Sequence, residues 1–303
     1  MMKKPRALRP GDAVRVIAPA SPFDRARLPD GLAVLKEFSL VPVFSERIFE
    51  ADGYLAGPDN LRARELIAAF TTDACAAVMP VRGGYGSMRL LRDLKAHSKS
   101  FEPRLFIGFS DITALHRFFQ VDVGLVTFHG PNVISSARLD PESRARLRAT
   151  LFGENPEQTF LYAGLQPLVS GRARGPLVVG NLSLITSLIG TPWAARLPGS
   201  LLVLEDVSEP LYRVDRMLCQ LSMQPDFEAV AGLAFGDLGV PEAERDALAA
   251  RLGDFAQAHR KPAVCGFPIG HGERNVPVPQ SVTAILDADV GVLRVLESPY
   301  SDA

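Results

Sequence analysis

Cysteine, long apolar runs and net charge are all scarce in this 303-residue chain. The three cysteines, Cys75, Cys219 and Cys265, stand far apart and within apolar sequence. An odd, sparse count argues against a disulfide framework and fits a reducing compartment, so three buried structural thiols are expected. No CxxC pair and no HExxH occurs, which leaves zinc without obvious ligands; no metal and no cofactor is expected. The greasiest stretch, 177–189, is interrupted by Gly180, Asn181, Ser183 and Thr186, and is shorter than the ~20 apolar residues of a bilayer span. Met-Met-Lys-Lys-Pro-Arg at the start leads into no apolar run of the ~7–15 residues that a secretory signal needs. A cytoplasmic protein without a membrane partner is the expectation. Basic and acidic residues nearly cancel, 33 against 34, and without a basic surplus nucleic acid is not expected as a partner.

What is present suits real hydrophobic cores. Hydrophobic residues make up 47% and charged residues 22%, the profile of a soluble globular protein, and the length allows about two domains at ~150 residues each. Short β-branched runs alternate with helical spacings: strands over 13–18, 76–81 and 105–108, helices over 28–38, 62–70, 87–94 and 111–120. That alternation predicts an α/β fold, a mostly parallel sheet with helices on both faces. Between 139 and 174 the chain turns charged and then rich in Gly and Pro. This predicts an N-terminal α/β domain over 1–150, a linker over 151–171 and a C-terminal domain over 172–303. The latter carries strands at 201–204 and 230–235, helices over 214–223 and from Pro241 to 258, and a closing hairpin of 282–286 with 290–296.

Five segments have residues of the right type for chemistry. Ser110, in Gly108-Phe109-Ser110-Asp111, sits between a buried-looking strand and a helix start. A tight turn there exposes the serine, and the amide of Asp111 is placed to bind a developing oxyanion. The pattern is close to the nucleophile elbow G-x-S-x-G, with Ile112 in place of the last glycine. A plain helix cap is the other reading of Ser110. Arg82-Gly83-Gly84-Tyr85-Gly86 lacks the Gly-Lys-Ser/Thr of a phosphate loop. It either brings a second amide to a substrate or is only a turn. His129 and His271 both follow β-like runs in glycine-bearing turns, where an open α/β sheet presents side chains to a ligand, whereas His116 is equally readable as core or surface. Glu205 ends the apolar run 201–204 beside Asp206. A carboxylate there calls for a partner such as imidazole, unless the two acids are a surface or capping pair.

The ordered set of motifs resembles the LD-carboxypeptidase family of serine peptidases, the muramoyltetrapeptide carboxypeptidases. The resemblance rests on Val16-Ile17-Ala18-Pro19-Ala20-Ser21, Gly53-Tyr54-Leu55-Ala56-Gly57, the 82–86 glycine loop and Gly108-Phe109-Ser110-Asp111. It continues through Gly180-Asn181-Leu182, Leu204-Glu205-Asp206, Tyr212-Arg213-Val214-Asp215-Arg216 and Gly270-His271-Gly272. It implies Ser110 as nucleophile, His271 as base and Glu205 as its orienter, with the amides of Asp111 and Gly84 as oxyanion hole. It also implies a β-rich C-terminal α/β domain, an active site at the domain interface, a homodimer and no metal. The implied substrate is murein tetrapeptide, cut at the L,D bond before its C-terminal D-alanine during peptidoglycan recycling. Two rivals stay open. One is a microcin C self-immunity type peptidase, which needs an aromatic platform for adenine that the sequence does not locate. The other is a non-catalytic peptide-binding protein.

Overall fold

The computed structural model describes residues 2–72 and 74–301. It divides into two compact units: Met1–Glu154 with Val276–Val278 and Pro299–Ala303, and Asn155–Asn275 with Pro279–Ser298. Each has its own sheet.

In the first unit the strands are β1 (Ala13–Ile17), β2 (Val41–Val43), β3 (Ala77–Pro80), β4 (Leu105–Gly108) and β5 (Phe128–His129). They pair in parallel in the order β2-β1-β3-β4-β5. β3 and β4 are buried along their whole length, as central parallel strands covered on both faces must be. The order reverses between β1 and β3, and ligands of open α/β sheets bind outside the carboxyl ends of strands at such a switch point. Three loops end there: Pro19–Ser21 after β1, the glycine loop after β3 and the Ser110 turn after β4. Beneath them Phe70 packs on Phe101, Phe106 and Phe119 with ring centroids 5.3, 6.0 and 4.7 Å away. Each fully buried ring of this kind contributes about 1.5–3 kcal/mol of transfer energy, so the nucleophile strand stands on a stiff base.

The second unit holds β6 (Leu161–Tyr162), β7 (Gln166–Val169), β8 (Arg172–Asn181), β9 (Leu201–Glu205), β10 (Gly232–Phe235) and β11 (Ala263–Cys265). A two-residue strand β12 (Val278–Pro279) joins the edge of the first sheet next to β5. The hairpin β13 (Thr283–Asp287) and β14 (Val292–Val295) then completes the second sheet, in the order β6-β14-β13-β8-β9-β10-β11-β7. Its centre, β8 to β11, is parallel, and the flanks are antiparallel. The protein is therefore α/β with two sheets, the second richer in β, and the hairpin forms where the sequence expects it.

Several local expectations need correction. The thiols are not all buried: Cys219 is exposed and Cys75 and Cys265 are half-buried. On the helix Leu211–Ser222 the core positions are Val214, Leu218 and Leu221, and Cys219 is turned off that face by one residue. The expected helix 111–120 opens as a 3-10 turn, Ser110–Ile112, and closes as a π-turn, Phe119–Val123, around a short α segment, Thr113–Phe118. Pro241 precedes its helix rather than starting it; a 3-10 turn at Glu242–Glu244 leads into Arg245–Ala258. The stretch 151–171 contains a short helix, Pro156–Thr159, and the edge strands β6 and β7. Among the described residues, no helix is long and apolar enough to cross a membrane.

Candidate active site

Ser110 is the only residue between Leu105 and Phe119 that is not buried. Phe109 is extended and Ser110 turns to φ 66°, the left-handed region that non-glycine residues rarely occupy. Such a conformation costs roughly 1–2 kcal/mol for an L-residue and persists only where the surroundings hold it. Ser110 is thus a half-buried serine on a strained strand-to-helix turn, and it stands one position inside the turn, whose N-cap is Phe109.

Four neighbours hold that turn. A Cβ on Gly108 would come within 2.9 Å of Ile112 Cγ2, so the glycine is required because Ile112 fills the space under the turn. The buried side chain of Asn132 accepts a 3.3 Å hydrogen bond from the Phe109 amide. His116 is core: Nε2 lies 2.7 Å from the Gly108 carbonyl and Nδ1 lies 2.8 Å from Thr127 Oγ1. A carbonyl only accepts, so Nε2 carries the proton and Nδ1 accepts from the threonine hydroxyl. Burial pushes the His116 pKa down to about 4, which keeps the ring neutral in this role. Fourth, Ser87 donates from its amide to Asp111 Oδ2 at 2.8 Å and from its hydroxyl to the Asp111 carbonyl at 2.5 Å. Burial raises the pKa of Asp111, opposed by the hydrogen bonds from Ser87.

The glycine loop lies directly on the nucleophile. A Cβ on Gly83 would stand 2.9 Å from Ser110 Cβ, 3.1 Å from its Oγ and 3.2 Å from the Asp111 amide nitrogen. Gly84 has φ 109° and a Cβ there would meet Ser21 Oγ at 2.5 Å. The loop is tied down by Ser21 Oγ, which accepts from the Tyr85 amide at 3.0 Å, and by the buried Arg62, whose Nη1 donates to the Gly86 carbonyl at 3.0 Å. Sequence reasoning passed over Asn132, Ser87 and Arg62. The first two stand beside segments it did single out, three residues after His129 and one after the glycine loop.

In the second unit, Glu205 closes β9 and is fully buried. His271 Nδ1 lies 2.9 Å from its Oε2, and the imidazole keeps 21% of its side-chain surface exposed. Burial raises the Glu205 pKa; the hydrogen bonds from His271 and Asn181 oppose it. A carboxylate at Nδ1 puts the proton of the neutral ring there and the lone pair on Nε2, the arrangement of a general base. Asp206 has a different task. Its carboxylate accepts from Asn181 Nδ2, the Ser183 amide, the Ser183 hydroxyl and the Val207 amide, all at 2.8–2.9 Å. The loops are tied together at the strand ends: the Asp206 amide donates to the Asp237 carbonyl at 3.0 Å, and the Asp237 amide to Ile269 at 2.9 Å. Gly270 is needed before His271, since a Cβ there would meet Asp237 Cβ at 2.7 Å.

The other histidines separate cleanly. His129 pairs in register with Gly108 and is wholly buried beside Phe109 and His116, so it does not face a crevice as expected. His259 caps its helix end, 3.4 Å from Glu228. Among the described residues no group of three or more His, Cys, Asp or Glu is disposed to hold a metal ion.

The first unit holds a strained, half-buried serine beside glycine-loop backbone, and the second holds a buried carboxylate paired with an imidazole. Residues 14–130 match the LD-carboxypeptidase N-terminal domain and 174–286 the LD-carboxypeptidase C-terminal domain. The chain belongs to the LD-carboxypeptidase family. It is a serine-type carboxypeptidase, a hydrolase. The chain is 37% identical over 291 residues to a Bacillus subtilis protein named probable murein peptide carboxypeptidase, covering 94% of this chain and 91% of the other. It is 32% identical to the murein tetrapeptide carboxypeptidase of Pseudomonas aeruginosa, over 91% of this chain and 93% of that one. The muramoyltetrapeptide carboxypeptidase of Oxalobacter formigenes superposes with a TM-score of 0.81 at 26% identity, covering 96% of this chain and all of that one. The microcin C7 self-immunity protein in complex with aspartyl sulfamoyl adenosine shares the fold, with a TM-score of 0.83 at 20% identity, covering 99% of this chain and all of that one.

Proposed function

We propose that this protein hydrolyses the L,D peptide bond that releases C-terminal D-alanine from murein tetrapeptide, with Ser110, His271 and Glu205 as its triad. The observation that carries the mechanism is Ser110 held at positive φ, with its side chain against Gly83. In this reading the Ser110 hydroxyl attacks the carbonyl preceding D-alanine while His271 Nε2 takes its proton and Glu205 stabilises the imidazolium. The amides of Asp111 and Gly84 receive the oxyanion. His271 returns the proton to the leaving amine as the C–N bond breaks, and a water, deprotonated by the same imidazole, hydrolyses the acyl-enzyme. The division of labour puts the nucleophile on an N-terminal domain (1–150) and the acid and base on a C-terminal one (172–303). A cytoplasmic location, in keeping with the sparse cysteines and a recycling role, and a homodimer, drawn from the family resemblance, complete the reading.

The substrate is tested by comparing tetrapeptides ending in D-alanine and in L-alanine with a pentapeptide ending in D-alanyl-D-alanine. Inverting the terminal α-carbon against a fixed carboxylate misplaces the carbonyl, and misplacements of this size cost ~10²-fold. Free D-alanine should appear from the first peptide at least that much faster than L-alanine from the second. Preferred cleavage of the L-alanine form, or of the D-alanyl-D-alanine bond, removes the L,D assignment while leaving the serine chemistry intact. Turnover should also survive exhaustive chelation, because no step uses a metal; loss with EDTA and recovery with zinc would contradict the mechanism.

One observation favours a second reading. Tyr54 and Tyr85, both exposed, meet edge to face at 5.5 Å next to the glycine loop, an aromatic surface on which a nucleobase can stack. Hydrolysis of aspartyl sulfamoyl adenosine in preference to tetrapeptide would assign the chain to that sister activity.

A further inference from the structure

A carboxypeptidase has to tell a chain end from an interior bond, and the end differs by one carboxylate. Taking that carboxylate out of water requires a cation, and guanidinium supplies two parallel N–H donors in matching geometry. Five arginines in the segments between the first unit's strands have partners that can be compared, Arg25, Arg47, Arg62, Arg82 and Arg89. Arg47 is committed to Glu65, Arg62 and Arg89 to Asp59, and Arg25 stands over the Phe49 ring with Cζ 4.4 Å from its centroid. Arg82 differs. It is exposed, and its Nη1 donates to a neutral acceptor, the Pro22 carbonyl at 3.2 Å, which leaves its charge uncompensated and further donors directed to solvent.

Its position is as telling as its charge. Arg82 comes immediately before the two glycines that pack on the nucleophile. A Cβ on Gly84 would lie 3.4 Å from Arg82 Nη2, and a Cβ on Gly83 would lie 3.1 Å from Ser110 Oγ. With adjacent Cα atoms 3.8 Å apart, the guanidinium is within about 13 Å of Ser110 Oγ. An extended single residue with its carboxylate, docked between a nucleophile and an arginine, spans on the order of 7–10 Å. The glycines place no side chain along this path. We propose that Arg82 binds the α-carboxylate of the residue to be released, and thereby makes the enzyme an exopeptidase. This rests on the carboxypeptidase reading above.

The test crosses two substrates with three enzymes: murein tetrapeptide ending in free D-alanine or in D-alaninamide, each given to wild type, Arg82→Ala and Arg82→Lys. Wild type should favour the free acid by roughly 10²-fold in kcat/KM, and Arg82→Ala should lose about that factor on the acid while changing the amide less than about threefold. Arg82→Lys should recover part of the loss on the acid alone, which a general structural defect would not do. Equal loss on both substrates, or no loss on the acid, overturns the receptor and leaves the peptidase reading standing. If Arg82→Ala does not fold, the acid-to-amide ratio of Arg82→Lys decides: a wild-type ratio overturns the proposal and a reduced one supports it. A wild-type enzyme that cleaves neither peptide overturns the peptidase reading, and the receptor falls with it.

Discussion

Ser110→Ala should retain no more than about 10⁻⁴ to 10⁻⁶ of wild-type turnover, the usual consequence of deleting a triad nucleophile. The substitution is unusually clean at this site. Alanine and serine are both L-residues with a Cβ, so both bear the same strain at φ 66°, and only the hydroxyl is removed. His116, Asn132 and Ser87 grip the backbone of Gly108, Phe109 and Asp111 rather than the Ser110 side chain, so the turn should persist. Ser110→Gly gives the complementary result: equally inactive, but more stable by about 1–2 kcal/mol, because glycine enters the left-handed region without the Cβ penalty. Single-turnover assays and thermal unfolding of both variants measure this. A tenth of wild-type activity in Ser110→Ala would take the residue out of the chemistry, and a Ser110→Gly variant less stable than wild type would contradict the strained turn.

Glu205→Gln should lower kcat/KM by roughly 10⁴, because an amide in that place no longer fixes the proton on His271 Nδ1 or stabilises the imidazolium. The neighbouring acids are poor substitutes. Asp206 has its oxygens engaged by Asn181, Ser183 and Val207, and Glu209 pairs with Arg213 at 3.3 Å. The pH dependence carries a sign. Burial raises the Glu205 pKa, so protonation of the Glu205–His271 pair removes activity as pH falls, starting above the ordinary carboxylate range. Stability runs the other way. A carboxylate with a raised folded-state pKa ionises first in the unfolded chain, so folding loses stability as pH rises above the unfolded value. Near pH 7 the Gln variant should therefore unfold at the wild-type temperature or above it, despite its lost activity. Wild-type activity in Glu205→Gln would remove the carboxylate from the mechanism. A lower unfolding temperature would show that the pair supports the fold rather than straining it.

Much of this protein was legible along the chain. The run Leu105–Gly108 followed by Phe109-Ser110-Asp111 specifies a buried strand and a tight turn through nearest-neighbour effects: apolar β-formers, a glycine where Ile112 must pack, and a short polar pair at the helix start. The acid at the end of Leu201–Leu204 was likewise visible, since apolar residues fix the strand and the first carboxylate after them stands at its carboxyl end. What the local pattern left open were choices between equals. Glu205 and Asp206 look alike in sequence, but successive residues at a strand end point to opposite sides. Sheet order then puts His271 beside one and Ser183 beside the other. His129 and His271 share a turn-like setting, yet β5 buries the first against Gly108 and Phe109 while the loop after β11 leaves the second partly open. The thiol at Cys219 was misread for the same reason, because a helix position off the core face is not apparent from apolar composition alone. Backbone conformation follows from adjacent residues. Which carboxylate meets which imidazole, and which arginine keeps its charge uncompensated, follows from contacts between segments far apart in the chain, and only the packed sheets bring those together.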